Sequence, residues 1–170
     1  MLGSFPPAKK RWCMEFFYPN YINDMWRIFG LLFHNDKDFY VDVTAKTFRK
    51  DDIENMLRQK HIGLYDTATA VRRTNNSASD KDLEVVETTN ISALLDCIPM
   101  CKAIVTTGQK ATELLCQHFQ IEQPQVGGHT NFTIKERSMR LYRMPSSSRA
   151  YPMKVERKAE YYRALLNELD

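Results

Sequence analysis

Asn23 lies in the stretch FFYPNYINDMW, Phe16 to Trp26, among closely spaced aromatic rings, one Pro and a second Asn. A carboxamide does not titrate usefully, so Asn23 cannot serve as a strong base. It can aim its carbonyl oxygen at a water molecule, or donate to an acceptor, beside rings able to stack on a planar ligand. Two other stretches have the chemistry to hold a ligand. GSFPP, Gly3 to Pro7, joins a permissive Gly to two stiff Pro, which can fix backbone amides pointing into a cleft. MPSSSRAYP, Met144 to Pro152, carries three consecutive hydroxyls with Arg149 beside them, a set suited to phosphate through side chains and amides. Each stretch also has a plain reading: a helix start, a chain terminus and a Ser-rich turn.

Several chemistries find no support. Cys97 and Cys101 form a C-x3-C pair with neither His nor a second pair beside it, and Cys13 and Cys116 stand alone. That is poor metal spacing, so reduced thiols and no structural metal are expected. His34, His61, His118 and His129 are scattered, and none neighbours a Ser or Cys in an activated arrangement. Ser146, Ser147 and Ser148 lack the G-x-S-x-G setting of a nucleophile elbow, and TTGQK lacks the upstream glycines of a phosphate-binding loop.

The elements that must position these residues follow from periodicity. Ile22, Met25 or Trp26, Phe29 and Phe33 recur at helical steps, which predicts a helix over about Tyr21 to Phe33 with Asn20 as its cap and Asn23 in its first turn. A second helix is expected from Asp51 to Arg58 with Ile53, Met56 and Leu57 inward. HIGLYD reads as a short extended piece and TNNSASD, Thr74 to Asp80, as a polar loop. ISALLDCI reads as a helix capped by Thr89 or Asn90 and stopped by Pro99. KAIVTT, Lys102 to Thr107, is the best buried strand, and Gly108 leads from it into a helix from Gln109 to Phe119. FTI and RLYRM read as two further strands, and Val155 to Leu169 as a final helix. This alternation predicts a three-layer α/β/α fold with a short, mostly parallel central sheet. No strand is evident ahead of the LGSFPP loop, so the first strand is expected to be nearly absent, or the sheet to be built without it.

At 170 residues, 43% apolar and 26% charged, the chain is the size of one soluble domain, residues 1–170. No run approaches the roughly eighteen apolar residues of a membrane span. The opening MLGSFPPAKKR shows no secretory pattern, so a cytoplasmic protein is expected. The net charge of +3 permits a nucleic-acid partner without requiring one. The positive residues gather in loop-like places: Lys9, Lys10 and Arg11, then Arg72 and Arg73, then Arg137, Arg140, Arg143 and Arg149.

The order LGSFPP, an aromatic run closing on NDMW, GLYD, RR, SASD, TTG and finally MPSSSRAYP resembles the uracil-DNA glycosylase superfamily over nearly the whole chain. Within it, the sequence looks most like the branch described as hypoxanthine-DNA glycosylase or mismatch-type uracil-DNA glycosylase. No single motif is decisive; the shared order and separation are moderately specific. The resemblance implies a monomeric enzyme that binds duplex DNA, flips out a deaminated base (uracil or hypoxanthine) and hydrolyses its N-glycosidic bond without metal or organic cofactor.

Residue by residue, the resemblance implies that Asn23 is the catalytic asparagine of an N-x-F-W segment, with Met25 in place of the family's Phe. Gly3, Ser4, Phe5 and Pro6 would shape the base pocket, and Phe5, Phe17 or Tyr18 would stack on the base. Thr106 and Thr107 stand at a strand end near the base edge, where the family commonly has Asn, which leaves base preference open. Pro145, Ser146, Ser147 and Ser148 match a second DNA-contacting loop. Arg149 would hold phosphates, and Lys9, Lys10 and Arg11 would extend the track. Asp66, Arg73, Ser79 and Asp80 match family positions without an assigned role. The alternative is a catalytically weak or inactive nucleic-acid-binding relative of the same fold.

Overall fold

The computed structural model describes residues 1–73 and 83–169. In chain order the elements are β1 (Leu2–Gly3), a 3₁₀ turn (Lys9–Arg11), α1 (Met25–His34), β2 (Val41–Asp42), β3 (Thr47–Phe48), α2 (Lys50–Gln59), β4 (Tyr65–Asp66), β5 (Ala68–Arg73), β6 (Leu83–Thr88), α3 (Ile91–Cys97), β7 (Ala103–Thr107), α4 (Gln109–Phe119), β8 (His129–Ile134), β9 (Arg137–Met144), α5 (Val155–Tyr162) and a 3₁₀ helix (Arg163–Glu168). Contacts divide the chain into two compact units. The first is Met1–Phe5 with Tyr65–Pro145, and the second is Pro6–Leu64 with Ser146–Asp170.

The first unit holds a five-stranded sheet in the order β4-β1-β7-β9-β8. Every pairing is parallel except β8 with β9, so the sheet is mostly parallel, as expected. The initial strand that the sequence concealed is present, and it lies inside the sheet. Leu2 pairs with Tyr65 on one side and with Thr106 on the other. Two residues suffice because both neighbours satisfy the backbone. The flanking helices α3 and α4 close the core: Leu2, Ile91, Leu95, Ile104, Leu115, Cys116, Phe132, Met139 and Leu141 form one buried cluster. AIVTT is almost wholly buried, the mark of a strand covered on both faces. At its end Gly108 takes φ 89°, which an L side chain resists, and this turns the chain into α4. The result is a mixed α/β fold.

The second unit contains α1, α2, α5 and the short β2–β3 pair. Helices α1 and α5 pack on each other. Helix α1 buries Met25, Trp26, Arg27, Ile28, Phe29 and Gly30. A Cβ on Gly30 would collide with the carbonyl oxygen of Asp36, and the backbones are close enough there for Asp36 N–H to donate to Gly30 O at 3.2 Å.

Several sequence expectations are corrected. Helix α1 begins at Met25 rather than Tyr21, and Ile22 is half-exposed instead of joining the buried stripe. The reason is local competition. Asn20 Oδ1 accepts from Ile22 N–H at 3.2 Å, and Asn23 N–H donates to Asn20 O at 2.7 Å, so a polar turn replaces the first helical turn. The final helix stops being α-helical at Tyr162 and tightens to 3₁₀ geometry. The antiparallel β2–β3 and β5–β6 pairs were not foreseen. The expected loop over residues 74–80, with Ser79 and Asp80, lies outside the described residues. Among the described residues no helix is long and apolar enough to cross a membrane.

Candidate active site

The second unit gathers Asn23, Ser146, Ser147, Ser148 and Arg149, which the sequence separates by more than a hundred positions. The join is Asp24. Its backbone N–H donates to Ser147 O at 2.9 Å. Its Oδ1 accepts from Arg149 Nε at 3.0 Å, and its Oδ2 accepts from Lys158 Nζ at 2.9 Å. Lys158 is wholly buried and also donates to Ser148 O at 2.8 Å. The loop is further braced from within. Ser146 Oγ accepts from Ser148 N–H, and Ser148 Oγ accepts from Ala150 N–H, each at 3.2 Å.

Asn23 itself sits one residue before the helix cap, half-buried, in a side-chain turn: Oδ1 accepts from Met25 N–H at 2.9 Å. That bond satisfies one of the orphan donors at the helix start. The carbonyl oxygen keeps a second lone pair, and the amide nitrogen is a donor. Arg27, one turn on, is buried and donates from Nη1 to Tyr21 O at 2.9 Å and to Asn23 O at 3.2 Å. Its guanidinium lies over the rings of Tyr21 and Phe48, at 5.0 and 5.3 Å. Burial, and next the neighbouring Arg149 charge, hold Arg27 below the ordinary arginine value. Asp24 thus faces Lys158 and Arg149 directly with Arg27 close by, an excess of positive charge suited to an anion such as a phosphate.

Aromatic rings surround this turn. Trp26 has no exposed surface, and it meets Phe16, Tyr18 and Phe29 with ring centroids 6.0, 5.9 and 5.7 Å away. Its Nε1 donates to Phe17 O at 3.2 Å. Phe17 and Tyr18 are half-buried, and Tyr18 holds a left-handed φ of 48° just before Pro19. Lys9, Lys10 and Arg11 are exposed on their 3₁₀ turn, where Lys9 pairs with Glu15 at 3.3 Å. Pro6 is half-buried in the same unit.

The remaining candidates belong to the first unit. Gly3 and Ser4 are buried, and Phe5 is half-buried. The loop leaves β1 under restraint: Gly3 O accepts from Thr67 N–H at 2.9 Å and from its hydroxyl at 3.1 Å, and Ser4 O accepts from Ala68 N–H at 3.1 Å. Thr106 faces inward. It has no exposed surface, and its hydroxyl is shared with Thr112 Oγ1 at 2.8 Å and Tyr142 O at 3.2 Å. That hydroxyl serves the β7–α4 junction. Thr107 Oγ1 donates to Leu2 O at 3.5 Å, and buried Pro145 ends the unit. Asp66 pairs with Gly3 in the sheet and its carbonyl accepts from Thr89 Oγ1 at 2.7 Å, while Arg73 closes β5 opposite Leu83.

Sequence reasoning missed Asp24, Arg27 and Lys158. A signal for Lys158 existed, because Val155, Lys158, Ala159 and Tyr162 follow helical spacing and place the lysine on the apolar stripe of α5. No comparable signal marked Arg27.

The fold is shared with a solution NMR structure of a candidate uracil DNA glycosylase from Methanosarcina acetivorans. The TM-score is 0.60 and the identity 22%, over 99% of this chain and 88% of that one. No family model matches this sequence, and a search among curated proteins finds no match.

Proposed function

We propose that this protein is a monofunctional DNA glycosylase, a member of the uracil-DNA glycosylase superfamily in or near its hypoxanthine-type branch, that hydrolyses the N-glycosidic bond of uracil or hypoxanthine flipped out of duplex DNA. The observation that carries the reading is the bonding of the Asn23 turn to the Ser146–Arg149 loop through Asp24. A group able to direct water is thereby fixed beside a cationic, hydroxyl-rich loop able to hold a phosphodiester.

In the proposed step the bond from C1′ to the base nitrogen breaks, and the base departs with the electron pair. A water oxygen bonds to C1′, loses a proton to solvent, and the released base gains one. Asn23 orients that water. Arg149 and the Ser146–Ser148 amides hold flanking phosphates, with Lys9, Lys10 and Arg11 extending the track. Tyr18 or Phe17 offers a ring to the extruded base, which offsets part of the lost stacking. The base-pocket roles of Gly3, Ser4, Phe5, Pro6, Thr106 and Thr107 belong to the same proposal. For Thr106 the inward hydroxyl favours a supporting part. An asparagine in place of a carboxylate predicts a modest rate, since no full negative charge faces the cationic sugar.

One observation favours the non-catalytic alternative: Asn23 Oδ1 already serves Met25 N–H. The deciding experiment incubates the protein with duplexes carrying uracil, hypoxanthine or thymine opposite guanine, followed by alkaline cleavage. The glycosylase gives strand scission on at least one base, and Asn23→Ala removes it. Salt-dependent duplex binding with no scission on any base would establish the binding module instead.

A further inference from the structure

We infer that Asp24 is the positioning residue of this site: its carboxylate, held by Lys158 and Arg149, locks the Asn23 turn to the Ser146–Arg149 loop so that both keep one register. The functional consequence rests on the glycosylase reading, whereas the coupling is a property of the protein without substrate.

Asp24 makes its tethers through three different groups. The amide reaches Ser147 O, one carboxylate oxygen takes Arg149, and the other takes Lys158. Lys158 then closes the circuit at Ser148 O. Three bonds therefore converge on the residue adjoining Asn23, a fourth runs on from Lys158, and two of the four end on main-chain carbonyls of the loop. A carbonyl cannot swing away as a side chain can, so these bonds fix the path of the loop.

The chemistry of the partners points to positioning. A wholly buried ammonium is tolerated only when paired and hydrogen-bonded. Apolar residues of similar volume in place of the whole pair would pack there at least as well, but without a preferred direction. The charged pair supplies direction, tying α1, α5 and the loop to one point. It also divides labour between the cations. Lys158 is spent internally, while the guanidinium of Arg149 uses Nε on Asp24 and is about half exposed, 49% by side-chain area. Asp24 thus orients the fork of Arg149 as well as the turn carrying Asn23.

The test uses the full chain with Asp24→Asn, which keeps size and removes charge. Hydrogen exchange by NMR reads the amides of Asp24 and Met25, with Val105 in β7 as the control. Single-turnover excision and affinity for an uncleavable duplex are measured in parallel. Expected are a loss of protection at Asp24 and Met25 of about tenfold or more with Val105 unchanged, excision slowed about tenfold to a hundredfold, and duplex affinity within about threefold. Wild-type protection at both amides would overturn the inference, and so would rate and affinity falling together by one factor. If the wild type excises no base, the glycosylase reading fails, and the exchange result alone still decides the coupling. If Asp24→Asn does not fold, Arg149→Gln, which removes one tether at a half-exposed position, is judged by the exchange readout alone, since Arg149 is itself placed on the phosphates: lost protection at Asp24 with Val105 unchanged supports the coupling, and wild-type protection overturns it.

Discussion

Lys158 Nζ, without exposed surface, lies 2.9 Å from Asp24 Oδ2, and the two residues stand 134 positions apart. Removing Lys158 strips Asp24 Oδ2 and Ser148 O of their buried donor and leaves the buried carboxylate only the half-exposed Arg149 on Oδ1. Lys158→Met is expected to cost about 3–5 kcal/mol, a fall in melting temperature on the order of 10 °C. Lys135→Met provides the contrast. Its ion pair with Asp96 is 2.8 Å long but 66% and 53% exposed, and its loss is expected to change stability by less than about 1 kcal/mol. Equal melting temperatures for the two variants would refute the buried-pair account.

Gly30 is required by close approach. A Cβ there meets the backbone oxygen of Asp36, which cannot move aside as a flexible side chain would. Gly30→Ala is expected to destabilise by about 1–3 kcal/mol. At Gly63 nothing lies within 4 Å of the added carbon, so Gly63→Ala is expected to be neutral or to stabilise by up to about 1 kcal/mol. Urea denaturation of both variants tests the contrast, and a neutral Gly30→Ala is the adverse result.

Asn23 carries a structural bond and a proposed chemical one, and substitution can separate them. Asn23→Ala removes the acceptor for Met25 N–H and is expected to lose about 1 kcal/mol of stability. Asn23→Asp keeps an acceptor there and is expected to stay within about 0.5 kcal/mol of wild type. Melting curves measure this structural half. On the glycosylase reading, Asn23→Ala also loses excision by a factor far beyond its loss of folded protein. Unchanged excision would leave Asn23 as a helix-start residue only.

Alkaline pH should unfold the protein through its buried phenols. Burial first, and the Asp52 charge second, push Tyr40 up to about 12. Burial first, and Tyr18 second, raise Tyr162 well above the ordinary value. Both values lie above the unfolded value of about 10, so the folded state keeps protons that the unfolded chain releases. This contribution is fully present below about pH 10 and is lost as pH rises through the folded values. The denaturation midpoint is expected to begin falling above about pH 10. Tyr40→Phe should fall less steeply, although it loses the bond to His34 Nε2 at 2.8 Å. Parallel declines in the two proteins would argue against Tyr40 as a source.

The sequence determined the parts whose causes are local. Hydrophobic runs and turn residues gave the buried strand ending at Thr107, the turn at Gly108, helix α4 and the inward face of α2 through Ile53, Met56 and Leu57. They also predicted the mostly parallel sheet. Tertiary structure decided what depends on partners distant in the chain. Leu2 and Gly3 are a strand because β4 and β7 satisfy their backbone on either side, a fact that two residues cannot announce. Helix α1 starts at Met25 for a local reason that apolar periodicity does not register: Asn20 Oδ1 takes the Ile22 amide and Asn23 Oδ1 the Met25 amide, where periodicity alone favoured Tyr21. The sequence marked Asn23, the three serines and Arg149 as separate candidates. That they share one unit follows from a carboxylate and a lysine far apart in the chain, brought together because a buried charge is stable only beside its opposite.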